Sequence, residues 1–320
     1  MSKQAIVSVN TLRKTPWQRF CLNFKKNWQL HLMMLLPLAY ILIFEFGPMY
    51  GLQVAFRDYR PRKGIWGSNW VGLEQFRRFF SNRQWKFYLR NTVTISLYSI
   101  AAGFPIPIIF ALVLHVNEKN GLKKLAQNIS FLPHFISIVI LVGIMNQLFS
   151  PYTGLYGTIC NMLGIHNKVD IRRSADAFYH MYVWSGVWQG MGWSAIMYVA
   201  SLSAVPMELH EAAKIDGASR WKRVLHVDIP TILPTICMML ILRFGSVISV
   251  GYEKVYLMQY AENIGRSEVI STYVYKYGVA NAQYSFGTAV GLLNSAVNSC
   301  MIILVNWITD KLSEGENSLF

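Results

Sequence analysis

The side chains able to make specific polar contacts sit inside stretches that are otherwise apolar. One stretch carries Trp184, Trp188, Gln189 and Trp193. A second carries Arg243, Ser246 and Ser249, followed by Tyr252 and Glu253, and a third carries Asn294, Ser295 and Asn298. Their chemistry is binding, not bond breaking. Indole faces stack on sugar rings, amides hydrogen-bond hydroxyls, and a guanidinium reads a carboxylate through two parallel N–H···O bonds. Asn294 and Asn298 are four residues apart and share a helix face. His134, Asn146 and Gln147 are weaker members of the set. Each of these residues also has a structural alternative, as an interfacial aromatic belt or an interhelix hydrogen bond. The remaining histidines are scattered without metal-ligand spacing, and Asp58, Asp170, Asp176 and Asp228 stand singly, so neither a catalytic nor a metal site is expected. Cys21, Cys160, Cys237 and Cys300 form no C-x-x-C pair. Cys237 and Cys300 lie in apolar stretches, where a thiol acts as a small hydrophobe.

The elements that hold these side chains are read from the hydropathy pattern. Of 320 residues, 53% are apolar and 14% charged, against about 25% charged in a soluble domain. Six apolar runs, 30–46, 92–115, 129–149, 178–204, 229–250 and 284–308, contain two formal charges, Glu45 and Arg243. At about 1.5 Å rise per residue their lengths match a hydrocarbon core of about 30 Å. Backbone in lipid must satisfy its own hydrogen bonds, so the runs are helices. The fold expected is an all-α integral membrane protein of six transmembrane helices. Residues 1–29 form a basic tail in which Trp17, Phe20, Phe24 and Trp28 alternate with Lys and Arg at helical spacing, as in a helix lying on the membrane face. Residues 30–308 form the membrane domain, and 309–320 a short carboxy-terminal tail. Nothing after the first run looks like a signal-peptide cleavage site. Pro105 and Pro107 predict a break in the second helix, and Gly287-x-x-x-Gly291 a close helix contact in the sixth.

Charge orients the chain weakly. The six basic residues of the tail, against four at 57–63, favour a cytoplasmic N-terminus, and six crossings then return the C-terminus to the same side. The segments that then face outward carry 15 Lys and Arg. No nucleic-acid module accompanies the net charge of +14, which fits a membrane surface together with an acidic partner or solute outside.

Between the fourth and fifth runs, residues 205–230 form a distinct block. Pro206 suits a helix start, Leu209, Ala212 and Ala213 share one face, and Gly217 supplies a turn. Trp221, Val224 and Leu225 then make a second apolar stripe opposite Arg220, Lys222 and Arg223. This block resembles the EAA loop of inner-membrane permease subunits of binding-protein-dependent ABC importers. That signature reads Glu-Ala-Ala, three residues, Gly, nine residues, an aliphatic, one residue, an aliphatic and Pro. Here Glu211, Ala212, Ala213, Gly217, Val227, Ile229 and Pro230 fill it, with Val227 and Ile229 mild departures from the usual Ile and Leu. Asp216-Gly217-Ala218 and Trp221 look like the carbohydrate-importing branch. Further matches lie in Pro48-Met49-Tyr50-Gly51, in 71–76 and in Asn91-Thr92. Two more, Phe131-Leu132-Pro133-His134-Phe135 and 281–286, look like the subgroup that handles complex polysaccharide fragments.

The resemblance implies a multi-pass protein of the bacterial cytoplasmic (inner) membrane with both termini cytoplasmic. It also implies an external solute-binding protein, an ATPase dimer that holds ATP and Mg²⁺, and a second, related permease. The chain itself contains no Gly-Lys step and so no phosphate-cradling loop. Glu211, Ala212, Ala213, Asp216, Gly217, Trp221 and Pro230 are the coupling residues that the resemblance implies. An ion-coupled secondary transporter would need several membrane carboxylates, and a membrane-bound glycosyltransferase would need paired acids at the membrane face. Glu45 alone lies within an apolar run, and the other acids are single. Arg243 lies too deep for easy snorkelling and needs an anion or a wet cavity. Its candidates are Glu45 or a carboxylated solute, and the subgroup resembled includes importers of alginate-type or pectin-type uronate oligomers.

Overall fold

A computed structural model of the chain describes Phe24, residues 26–117 and residues 120–312. Most of the basic tail and the last eight residues therefore lie outside the described residues. The chain forms two units, Met1–Gln53 and Val54–Phe320. In the first unit, helix α1 (Trp28–Ile41) continues through a wide π-turn, Leu42–Phe46, into Gly47–Met49. No residue of these segments is buried. A helix that is apolar on every face is suited to lipid.

The second unit opens with a feature that the all-α reading lacks. Strands β1 (Arg57–Arg60) and β2 (Gly64–Trp70) form an antiparallel hairpin. Gly64, at φ 66°, turns the chain. Ser68 Oγ accepts from Arg60 N at 3.0 Å and donates to Gly64 O at 2.6 Å. Arg57 lies over the rings of Trp66 and Trp70. The run of charges at 57–63 hides this hairpin from a hydropathy reading.

After α2 (Glu74–Ser81), the second apolar run becomes α3 (Trp85–Gly103) and α4 (Pro105–Val116). They are separated at Phe104, as expected where Pro105 cannot donate to the preceding turn. The third run is not straight. Helix α5 (Asn120–Phe131) and the tight turn Leu132–Phe135 meet α6 (Ile138–Leu148) at 101°. Pro133 and the extended Ile136 stop the first helix, and Ser137 caps the second by accepting from Ile140 N. Helix α7 (Leu155–Met162) precedes α8 (Ala175–Ser203), which packs along both α3 and α4. Then come α9 (Met207–Ile215) and α10 (Arg220–Arg223), which runs through a π-turn, Val224–Asp228, into α11 (Ile229–Phe244). After α12 (Tyr252–Leu257) and α13 (Ile270–Val274), α14 (Tyr284–Leu312) ends the described chain.

By length and composition, Trp28–Phe56, Trp85–Val116, Arg220–Phe244 and Tyr284–Lys311 can each cross a bilayer, and the bent α5–α6 pair makes a fifth crossing if counted as one. Helix α8 is long enough at about 44 Å, but its Trp, Tyr and Gly residues depress its mean hydropathy.

Buried polar side chains tie these helices together. Asn91 on α3 donates to Glu268 O at 3.0 Å and accepts from the Tyr179 hydroxyl at 2.9 Å. Thr92 Oγ1 accepts from Ile270 N at 3.0 Å. The Asn91-Thr92 pair thus pins α3 to α8 and to the start of α13 and the residue Glu268 just before it. At one end of the bundle Arg172 holds Asp170 through two hydrogen bonds of 2.7 and 2.8 Å and also donates to Asn146 O. Those bonds hold the Asp170 carboxyl below the usual aspartate range.

The glycine contact in the last helix is not the one that the spacing predicts. A Cβ on Gly278 would lie 2.7 Å from Gly287 Cα, whereas one on Gly291 meets nothing within 4 Å. The close pair is Gly278 with Gly287. Gly278→Ala is therefore expected to destabilise the protein by about 1–3 kcal/mol, and Gly291→Ala to be neutral. Thermal unfolding in detergent checks this, and equal effects at the two sites would contradict it.

Candidate functional site

Two helices open a polar recess where α3 faces α8. Gly103 on α3 and Gly186 on α8 lack side chains where two cations approach. A Cβ on Gly103 would lie 3.9 Å from Arg243 Nη2, and one on Gly186 would lie 3.3 Å from Lys254 Nζ. The resulting cavity, about 260 Å³, is lined by Ser96, Ser99, Arg243, Ser246, Ser249 and Lys254 among others, and no carboxylate lines it. Arg243, Ser246 and Ser249 are exposed, while Lys254 is buried. Lys254 Nζ donates to Tyr182 O at 2.9 Å and sits 4.6 Å above the Tyr182 ring. Burial pushes its ammonium down to about 8. Among the described residues Arg243 forms no ion pair. Glu45, one of its two candidate partners, belongs to the amino-terminal unit. The site offers two positive charges and several hydroxyls, which can hold an anionic, hydroxylated solute.

The other candidate binding residues are dispersed. Trp184, Trp188 and Trp193 are about half exposed along α8. Trp184 Nε1 donates to the Tyr98 hydroxyl, and Trp193 stacks on His134 with ring centroids 4.5 Å apart. Gln189 donates to Ile136 O at 2.7 Å, tying α8 to the elbow before α6. Asn298 accepts from Ile248 N and donates to Ser249 Oγ, so it braces α14 against the segment that follows α11. Asn294 lines a different cavity with Tyr252, Ser271 and Tyr275, and its buried Oδ1 has no hydrogen-bond partner. Of the residues read from the sequence, Arg243, Ser246 and Ser249 share the charged cavity. Lys254 and the two glycines were missed. Lys254 follows Glu253 outside the apolar runs, and no sequence signal marks it as buried.

Residues 205–230 fold as the block suggests, with one difference. Helix α9 begins after Pro206 and ends in a Schellman turn. Gly217, at φ 75°, donates to Lys214 O at 3.1 Å, and Ala218 N donates to Ala213 O at 2.9 Å. Ser219 caps α10 by accepting from Lys222 N. The second helix does not stop; its π-turn carries it into α11, so Trp221 and Pro230 lie on one continuous rod. Glu211, Ala212 and Asp216 are exposed, and so are the apolar Met207, Ile215 and Trp221. Ala213 is partly covered. Such a surface fits a partner protein.

One expectation is corrected. The histidines do not all stand apart, because His115 and His210 converge on Asp228.

The family model described as "Binding-protein-dependent transport system inner membrane component" matches residues 103–314. Protein LplB of Bacillus subtilis is 37% identical, covering 91% of each chain. The polygalacturonan/rhamnogalacturonan transport system permease protein YteP of the same organism is 35% identical, covering 94% of each. A crystal structure of a bacterial ABC transporter involved in the import of the acidic polysaccharide alginate superposes with a TM-score of 0.83 at 33% identity, covering 92% of this chain and 99% of that one. The hairpin and the bent third run are thus compatible with a permease fold. The chain belongs to the binding-protein-dependent transport system inner membrane components, as a multi-pass inner-membrane transport subunit of an ABC transporter and not an enzyme.

Proposed function

We propose that this permease passes acidic, uronate-type oligosaccharides from a binding protein into the cytoplasm by alternating access. The observation that carries this reading is the cavity that holds Arg243 and Lys254 with no carboxylate in its lining. A guanidinium and an ammonium facing hydroxyls and open space attract a carboxylated sugar, and neutral sugars gain nothing from the charge. The 15 Lys and Arg of the outward segments act in the same direction. Two relatives support it, since one is named for polygalacturonan and rhamnogalacturonan, and one solved transporter for alginate.

In this reading the chain crosses the membrane six times with both termini cytoplasmic, α8 and the bent third run included. A single permease leaves Arg243, Ser246 and the α8 tryptophans exposed, so a second, different permease closes the path. An ATPase dimer supplies ATP and Mg²⁺ binding. Its docking cleft receives α9, where a basic residue pairs with Glu211 and the small Ala212 and Ala213 allow close approach. Trp184, Trp188, Gln189, Trp193, Asn294 and Asn298 remain candidates for the solute path, with Asn298 and Gln189 acting through the helices that they brace. The test is ATP hydrolysis by the assembled transporter in lipid, with its binding protein present. Uronate oligomers should stimulate it, and neutral maltose-type oligomers should not. Equal stimulation by both would overturn the acidic assignment.

A further inference from the structure

We propose that His115, His210 and Asp228 form a zinc-type metal site at the foot of the coupling segment. The three residues come from separate elements: the last turn of α4, the middle of α9, and the π-turn that leads into α11. Asp228 Oδ1 lies 3.1 Å from His210 Nε2 and 3.7 Å from His115 Nε2. One donor atom from each residue falls within 4.8 Å of the other two. Tetrahedral zinc with legs of about 2.0–2.1 Å has ligand–ligand edges of roughly 3.3 Å, and the two measured separations bracket that value.

A second observation points the same way. The Asp228 side chain is 2% exposed and that of His210 12%. Yet Asp228 Oδ1 and His210 Nε2 both lack a hydrogen bond. They approach each other without an N–H aimed at the oxygen. A buried carboxylate oxygen left unpaired is costly, and a cation between the three donors satisfies all of them at once. Two imidazoles and one carboxylate suit zinc better than magnesium or calcium, which prefer oxygen-only sets.

Three protein ligands leave one coordination position. It faces a cavity of about 420 Å³ that the same three residues line with Arg220 and Arg223. The Arg223 guanidinium in that lining favours an anionic fourth ligand, chloride or hydroxide. Bound in this way, the ion clips α9 to both α4 and α11. His210 immediately precedes Glu211, so the clip would fix the angle at which α9 meets its partner. That consequence, unlike the site itself, rests on the coupling role proposed above.

The experiment uses the assembled transporter, purified through a tag free of histidine, stripped with chelator and titrated with Zn²⁺ and then Co²⁺. One zinc retained per copy of this chain is expected, with the intense visible absorption of four-coordinate Co²⁺. His115→Ala, His210→Ala and Asp228→Asn should each weaken zinc binding by more than the roughly 10- to 100-fold that loss of an outer-shell partner gives. Should a variant fail to assemble, the wild-type titration decides alone. Zinc that washes off the wild type, a six-coordinate Co²⁺ spectrum, or variants that hold zinc as the wild type does would each overturn the site and leave a bare His–Asp contact. Metal retention is read independently of uptake, so failure of the coupling role, tested at Glu211, is distinguishable from failure of the site.

Discussion

Glu211→Lys should abolish solute uptake while leaving the external binding protein's affinity for solute unchanged. The residue is exposed on α9, so the substitution removes no internal contact. Under the proposed coupling role, its expected effect falls on docking to an ATPase, where the proposed charge-assisted pair would become a repulsion. Truncating one partner of such a buried interfacial pair costs about 2–5 kcal/mol, or at least ~30-fold in docking. Gly217→Val should act on the same step by another route. Gly217 holds φ 75° in the turn that ends α9, and a β-branched side chain is a steric outlier there. The direction of α9 relative to α10 would then change. Alternating access works because two global states make different contacts, and under the proposed coupling role both substitutions would remove the contact that ATP binding shifts. Uptake into proteoliposomes and co-purification of the ATPase are the measurements. Normal uptake by both variants would refute the coupling role.

Arg243→Ala should reduce uptake of uronate oligomers by about 10- to 150-fold, the range that a lost charge-assisted hydrogen bond of about 1.5–3 kcal/mol implies. Arg243→Lys should fall between, because an ammonium keeps the charge and loses the two-pronged geometry. Lys254 adds a pH dependence. Burial disfavours its charged form, so the ammonium persists below about 8 and is lost as pH rises through that value. Uronate uptake should fall over the same interval. Lys254→Arg keeps its charge at every accessible pH and should remove this alkaline loss. The profile of initial uptake rate against pH for wild type and variant decides the matter. A flat wild-type profile, or full uronate uptake by Arg243→Ala, would show that these cations serve the packing alone.

The sequence is most legible where one physical rule dominates. Apolar length locates the helical runs, and Pro105 locates the break between α3 and α4. Gly217 was legible because a motif and a backbone requirement coincide at one residue. The third run misled, since hydropathy is blind to the turn that Pro133 and Ile136 impose. The hairpin at 57–70 was invisible because its register rests on Ser68 and two Arg–Trp contacts, not on an alternating pattern. Lys254 and Arg243 are eleven residues apart and meet because the chain folds back after α11. His115 lies far along the chain from His210 and Asp228, so no local spacing could join them. Helical motifs are local and survive in sequence; juxtapositions made by packing do not.

The uncompensated positive charge of the cavity also bears on the electrical work of transport. Each carboxylate carried inward against a membrane potential that is negative inside requires about 2.3 kcal/mol per 100 mV. Arg243 and Lys254 are fixed and return to their starting state in each cycle. They can therefore lower the barrier along the path without changing the total, which for the proposed uronate cargo would grow in proportion to the number of uronate units. For a cargo of this kind, chain length becomes an electrical quantity. Longer oligomers should be imported more slowly at high membrane potential, and the difference should vanish when the potential is collapsed.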